Sequence, residues 1–308
     1  MKKKNVLITG GAGFVGSHLT DELIKMGYHV VIVDTAQRHE RPDVDSRAVF
    51  YTLDVRSKKI GRVFKDEKIN YVFHLAAQIN ARKSIKKPVN DIQKNIIGAL
   101  NVLDNCRKYK VEKIVFPSTA GIYGNKASVP TTEESMPDPD TPYGINKLAF
   151  EHFLSAYHKM YGLPYVIFRI ANIFGPRQFR GGGAGVISII ADKIANNKEI
   201  VIYGDGKQTR DFIYIDDVVG AMMKAMKSSY IGTVNIGTGK EESLLDVIDA
   251  MKKASSCELR ISFQLKKKGE QLRSCLDPGK AKQVLDWQAK TNFEEGIKKI
   301  LEWHKNLP

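Results

Sequence analysis

Tyr143 and Lys147 stand four positions apart in the stretch T-P-Y-G-I-N-K, residues 141–147. On a helix that spacing puts two side chains on one face. A phenol with a pKa near ~10 is a poor base at neutral pH. An ammonium one turn away favours its phenolate, and the pair becomes an acid–base couple for a substrate hydroxyl. The plain alternative is a surface pair near a helix start, since tyrosine and lysine are common. Twenty-four residues before Tyr143 lies Thr119, in F-P-S-T-A-G-I-Y-G, residues 116–124. Ser118 and Thr119 end an apolar run, and Thr119 can hold a substrate hydroxyl against the phenolic oxygen.

A second constellation points to a nucleotide. T-G-G-A-G-F-V-G, residues 9–16, follows an apolar run and opens a helical pattern. In that context Gly10, Gly13 and Gly16 allow a tight turn and close backbone approach to a pyrophosphate on the helix N-terminus; Phe14 and Val15 share the turn. A bare strand–helix turn needs one glycine, and this stretch has four. Eighteen residues after Gly16 the next apolar run ends at Asp34. An acid there accepts hydrogen bonds from ribose hydroxyls and repels a 2′-phosphate. Arg38 and Arg41 would suit NADP, but Asp34 holds the decisive position, so NAD is the expected cofactor. Asp54 and Val55 end a third run. Asp54 either reaches the adenine or caps the next helix, and both readings stay open. H-L-A-A-Q, residues 74–78, ends a fourth run, where Leu75, Ala76 and Ala77 would let a cofactor pack against backbone. Asn95 joins the cofactor-binding candidates.

The elements that must position these residues are legible as a pattern. Apolar runs at 6–9, 30–33, 49–53, 71–75, 114–116 and 165–170 alternate with helical patterns such as 13–26, 89–109 and 143–161. Near-continuous β-rich runs between helices predict a doubly wound α/β fold, a parallel sheet covered on both faces. After Phe174 the pattern loosens, and G-G-G-A-G, residues 181–185, marks a loop. Residues 210–215 and 233–237 could return to the first domain. The expected division is a Rossmann-type domain over 1–172 plus a returning segment of about 210–238, with the remainder of 173–308 forming a smaller, interleaved substrate domain.

Composition narrows the class. The chain has 308 residues, 43% hydrophobic and 27% charged, as in ordinary globular proteins. Its net charge of +14 is scattered in short lysine groups without an aromatic-interleaved stripe, so a lysine-rich surface is favoured over nucleic-acid binding. Three cysteines, Cys106, Cys257 and Cys275, form no Cys-x-x-Cys pair, which argues against a disulfide framework or a zinc site, and no metal is expected. No apolar run is long enough to span a bilayer. The apolar run after the N-terminal lysines stops at Thr9, so the start reads as mature and cytoplasmic.

Taken together, T-G-G-A-G-F-V-G, Asp34, L-D-V, H-L-A-A-Q, the S-T before Y-G and Y-x-x-x-K resemble the extended short-chain dehydrogenase/reductases, from about residue 4 to 303. Within them the likeness is closest to the UDP-glucose/UDP-galactose 4-epimerase group. The resemblance implies NAD-dependent epimerisation at C4 of a UDP-hexose through a transient 4-keto sugar. It makes Thr119, Tyr143 and Lys147 catalytic, with Ser118 beside them at the sugar. It also implies that Asn172 and Arg210 hold the diphosphate, that the Val186 backbone touches the nucleotide, that Tyr203 stacks on uracil, and that Glu270 holds the ribose. The family's second diphosphate arginine is Lys267 here, which gives charge without the bidentate fork. The residue lining the sugar pocket is Ser274, small enough to admit N-acetylhexosamines.

Sister reactions fit less well. The 4,6-dehydratases carry an Asp-Glu pair after the Ser/Thr position, where this chain has Ala120 and Gly121. The runner-up enzyme is a UDP-glucuronate 4-epimerase. A non-enzyme alternative, an NAD- or RNA-binding protein on a retired dehydrogenase fold, would have lost Tyr143 or Lys147, and both are present. The resemblance also implies a homodimer through helices 89–109 and 143–161.

Overall fold

The computed structural model describes residues 4–40, 43–125, 127–178, 185–255, 258–265 and 271–306. Its strands are β1 (Asn5–Thr9), β2 (His29–Asp34), β3 (Val49–Thr52), β4 (Tyr71–His74), β5 (Lys113–Thr119), β6 (Tyr165–Ile170), β7 (Asn172–Phe174), β8 (Ile200–Tyr203), β9 (Thr209–Arg210), β10 (Phe212–Tyr214), β11 (Gly232–Ile236), β12 (Glu242–Ser243) and β13 (Ile261–Gln264). The helices are α1 (Phe14–Lys25), α2 (Ile60–Asp66), α3 (Ala81–Lys86), α4 (Pro88–Ile92), α5 (Gly98–Lys108), α6 (Pro142–Tyr161), α7 (Val186–Ala195), α8 (Ile215–Lys227), α9 (Leu244–Ser255), α10 (Gly279–Leu285) and α11 (Phe293–Lys305).

Seven strands form one sheet in the order β11-β6-β5-β4-β1-β2-β3, and every pairing in it is parallel. Both faces are covered, which explains the unbroken apolar runs: Val6 and Ile8 join one core layer, while Leu7 between them joins the other. The strand order reverses between β1 and β4. Ligands of open α/β sheets bind at such a switch point, beyond the carboxyl ends of the strands.

Two expectations from the sequence are corrected. Residues 210–215 do not return to the main sheet. β10 pairs with β7 instead, because β11 occupies the place beside β6. The exchange happens at one peptide: Ala171 N donates to Ile236 O at 2.9 Å, and Asn172 N donates to Asp211 O at 2.9 Å. Of the segment 210–238, α8 packs on α1 and β5, and β11 joins the sheet. The single helix expected over 89–109 is α4 and α5 joined by a π-helical turn, Gln93–Ile97. No described helix is long and apolar enough to cross a membrane.

Candidate active site

A cavity of ≈ 760 Å³ opens at the switch point and runs from the end of β3 across β5 to α7 and β9. Its first half is built for a dinucleotide. Gly10 follows β1 with φ +72, and a Cβ there would lie 2.7 Å from Ala76 N, so only glycine fits between the two strands. A Cβ at Gly16 would lie 2.5 Å from Gly10 O. Gly13 precedes α1 in an extended conformation, and no side chain caps the helix. The first N–H groups of α1 therefore face a cradle shaped by missing side chains, which fits a diphosphate. Phe14, Val15 and Gly16 line it.

Asp34 ends β2 on the same wall. Its carboxylate accepts from Ala12 N and Ala36 N, each at 3.0 Å, which fixes it at the rim. Asp54 and Val55 also line the cavity. Asp54 does not cap α2, whose N-cap is Lys59; it accepts from Arg56 N at 2.8 Å in the turn after β3 and lines the cavity. The Arg56 guanidinium holds its carboxyl below the ordinary value. Leu75, Ala76 and Ala77 form the wall beyond β4. Behind them the His74 ring bonds Thr9 Oγ1 at 2.7 Å, and burial, aided by Lys147, drives His74 down to about 3.

Asn95 is not on this wall. Its amide accepts from Gln78 N at 2.7 Å and donates to Gln78 O at 2.9 Å. The side chain is consumed in fixing the loop that carries Leu75–Ala77, and the π-helical turn aims it there.

The second half holds the acid–base candidates. Thr141 caps α6 by accepting from Gly144 N at 3.2 Å, and Pro142 occupies the first turn. Tyr143 is thereby fixed in that turn, with its N–H donating to Ser84 Oγ at 3.1 Å. Its phenol is hydrogen-bonded to the Thr119 hydroxyl. Lys147 Nζ donates to Pro117 O at 2.8 Å and lies 4.4 Å from the centre of the Phe116 ring and 5.9 Å from that of Tyr143. Burial pushes the Lys147 ammonium down to about 7, against the pull of Glu151 and Asp91. Burial pushes the Tyr143 phenol well above its ordinary value; Asp91 adds to this, and the Thr119 bond opposes it. One further turn along α6, Glu151 pairs with Arg169 at 2.8 Å. Arg169 in turn donates to Tyr123 Oη at 3.0 Å, locking the loop after Thr119.

Of the remaining candidates, Ser118, Thr119, Asn172, Val186, Arg210 and Ser274 line the same cavity. Arg210 donates to the carbonyls of Thr209 at 2.7 Å and Gln271 at 2.9 Å. The neighbouring Asp211 carboxylate turns inward to accept from Thr238 and Leu276. Tyr203 ends β8 off the cavity wall, in register with Gln264 of β13. Lys267 and Glu270 lie outside the described residues.

Several cavity residues were not legible in the sequence. Gln178 and Gln271 line the end towards α7 and β9, and Lys94 and Arg177 add positive charge. The Gln178 Oε1 and Ser118 Oγ atoms are buried without a hydrogen-bond partner, as acceptors awaiting a ligand would be. A polar residue following F-G-P-R so soon after Asn172 was the only signal for Gln178. Among the described residues no cluster of His, Cys, Asp or Glu is placed to hold a metal ion.

Comparison with known proteins agrees with this geometry. A model of the NAD dependent epimerase/dehydratase family matches residues 6–237. The UDP-glucose 4-epimerase of Mycolicibacterium smegmatis is 33% identical over 307 residues, 97% of this chain and 98% of its own. The UDP-glucose 4-epimerase of Thermotoga maritima, solved with UDP-glucose, superposes with a TM-score of 0.94 at 39% identity, covering 97% of this chain and 98% of the other. The UDP-glucuronic acid 4-epimerase of Bacillus cereus, solved with UDP-glucuronic acid and NAD, gives a TM-score of 0.89 at 31% identity, covering 98% and 99%.

Proposed function

The chain belongs to the NAD dependent epimerase/dehydratase family, and within it we propose that this protein epimerises C4 of a UDP-hexose, interconverting UDP-glucose and UDP-galactose. NAD is its cofactor. The observation that carries the reading is the neighbourhood of Thr119. Tyr143 is hydrogen-bonded to it and Lys147 bonds the carbonyl of Pro117 two residues before it, while Ala120 and Gly121 beside it on the cavity wall offer no acid. Among the described residues the cavity's carboxylates are Asp34 and Asp54, at the β2–β3 side, with β4 and β1 between them and Thr119. Hydride chemistry at a hydroxyl is provided for. Elimination of water, which needs a further acid–base pair at the sugar besides Tyr143, is not.

NAD, when bound, supplies a hydride acceptor that gives the hydride back within the same cycle. The residues of the chain do the rest. Thr119 holds the C4 hydroxyl against Tyr143, and Tyr143 takes its proton. Burial and the Asp91 carboxylate oppose the phenolate, so the Lys147 ammonium, pinned by the Pro117 carbonyl, must supply the compensating charge. The 4-keto sugar turns, and Tyr143 returns the proton to the oxygen now presented from the other face. A sugar that must turn has to be held loosely, so binding concentrates on the UDP. Asn172 and Arg210, on the cavity wall, are proposed for the diphosphate, and the Val186 backbone for the nucleotide. Tyr203, Lys267 and Glu270 remain proposals for uracil, diphosphate and ribose.

Ser274 leaves room at the sugar end, so N-acetylhexosamines are proposed as further substrates. Wild type should epimerise UDP-N-acetylglucosamine, and Ser274→Tyr should lose that activity while keeping UDP-glucose. A tyrosine variant equally active on both sugars removes this part of the reading. UDP-glucuronate is the second reading, supported by Arg177 and Arg210 on the wall. It ranks behind because Asp21 engages Arg177 at 2.7 Å and two carbonyls engage Arg210.

A homodimer is proposed through α4–α5 and α6, where Val89, Ile92, Ile97, Ile145 and Phe153 are exposed apolar side chains on adjacent helices.

A further inference from the structure

Asp91 is 1% exposed and stands on α4, behind the cavity wall. Its Oδ1 accepts from Gln78 Nε2 at 2.6 Å. Its Oδ2 accepts from Asn146 Nδ2 at 2.7 Å and Asn95 Nδ2 at 3.2 Å. These are three amides, and among the described residues no cation pairs with it. A buried carboxylate held by amides alone costs stability that a neutral side chain would not. Its three partners are not arbitrary. Gln78 ends the wall formed by Leu75–Ala77, Asn95 fixes that wall, and Asn146 adjoins Lys147 on α6.

We propose that Asp91 is a positioning residue of the Tyr143–Lys147 couple: a fixed negative charge, clamped to α6 through Asn146, that favours the Lys147 ammonium and holds Tyr143 as the phenol in the resting protein. The proposal rests on the reading of those two residues as the acid–base couple. Burial drives Lys147 down, and the anions that oppose this are Glu151 and Asp91. Glu151 is shared with Arg169, so Asp91 is the anion without a cation of its own. Asp91 also follows burial as a cause of the raised Tyr143 phenol. Of the other titratable groups nearby, His74 on β4 is held neutral, and Lys94 on the π-helical turn is half-buried. Arg82, Lys83, Lys86 and Lys87, on and after α3, are exposed, where water and salt screen them. Removing the Asp91 charge therefore moves both members of the couple the same way, to lower pH.

The test is Asp91→Asn in the full-length protein carrying its cofactor. Both limbs of the kcat/KM pH profile with UDP-galactose should move to lower pH by about one unit. The ultraviolet phenolate titration, taken as the difference from Tyr143→Phe in each background, should move the same way. That titration needs no substrate, so it judges Asp91 even where the sugar reading fails. The exchange variant, Asp91→Asn with Asn146→Asp, returns a charge across the same hydrogen bond and should bring the limbs back towards wild type. Lower turnover with limbs and phenolate titration unmoved would assign Asp91 to packing alone and overturn the proposal. Should Asp91→Asn not fold, Asp91→Ser keeps an acceptor oxygen and is read by the same two titrations.

Discussion

Replacing Tyr143 with Phe deletes one oxygen from a side chain whose backbone N–H and neighbouring turn stay anchored by Ser84 and Thr141. The fold and the glycine cradle should be untouched. Bound NAD should survive purification, while turnover falls by roughly 10²–10⁴-fold, the range for loss of a general acid–base group. Near-normal turnover would leave Tyr143 and the buried Lys147 as a structural pair with no acid–base role. Spacing alone made this couple visible, because both members lie on one helix and Thr119 follows a strand end. The groups that tune it were not visible. Asp91, Gln78 and Asn146 come from three different segments of the chain, and nothing in their spacing announces that they share hydrogen bonds. Gln178 was missed for a related reason, since an unpartnered carbonyl exists only once its surroundings have folded.

At the scale of elements, the β1–α1 turn couples two strands through Gly10. A methyl group there meets Ala76 N at 2.7 Å, and the left-handed φ of +72 penalises any Cβ. Gly10→Ala should cost stability on the order of 1–2 kcal/mol from backbone strain alone, read by thermal unfolding, and should abolish retention of NAD, read by its absorbance after release. A variant that keeps both properties would mean that the cradle is not where the cofactor sits. The strands that build this site were legible because burial on both faces leaves an unbroken apolar run, as in β1 and β6. Partner choice was not legible. F-I-Y in β10 reads like a strand of the main sheet, yet it pairs with β7 because the edge beside β6 is taken by β11. The π-helical turn in the middle of the 88–108 segment was equally hidden. It carries Asn95, whose amide donates to Asp91 at 3.2 Å and to Gln78 O at 2.9 Å, contacts that exist only in the folded chain.

At the scale of the molecule, the cavity spans strands of the main sheet and of the small sheet beyond Ala171, and the Ala171–Asn172 peptide bonds to both. The exposed apolar faces of α4–α5 and α6 belong to the same helices that carry Asn95, Tyr143 and Lys147. Light scattering should find a dimer, and a charge at Val89, 70% exposed, should yield monomers. A monomeric wild type would leave those faces without the proposed partner. The deciding measurement follows a labelled hydrogen. UDP-glucose carrying deuterium at C4 is incubated with the purified protein in ordinary water, and its partner in heavy water. Hydride removal and return at one carbon predicts UDP-galactose that keeps the C4 label and takes up no solvent deuterium on carbon. A 4-keto-6-deoxy product, loss of the C4 label, or solvent deuterium on the sugar carbons would contradict it.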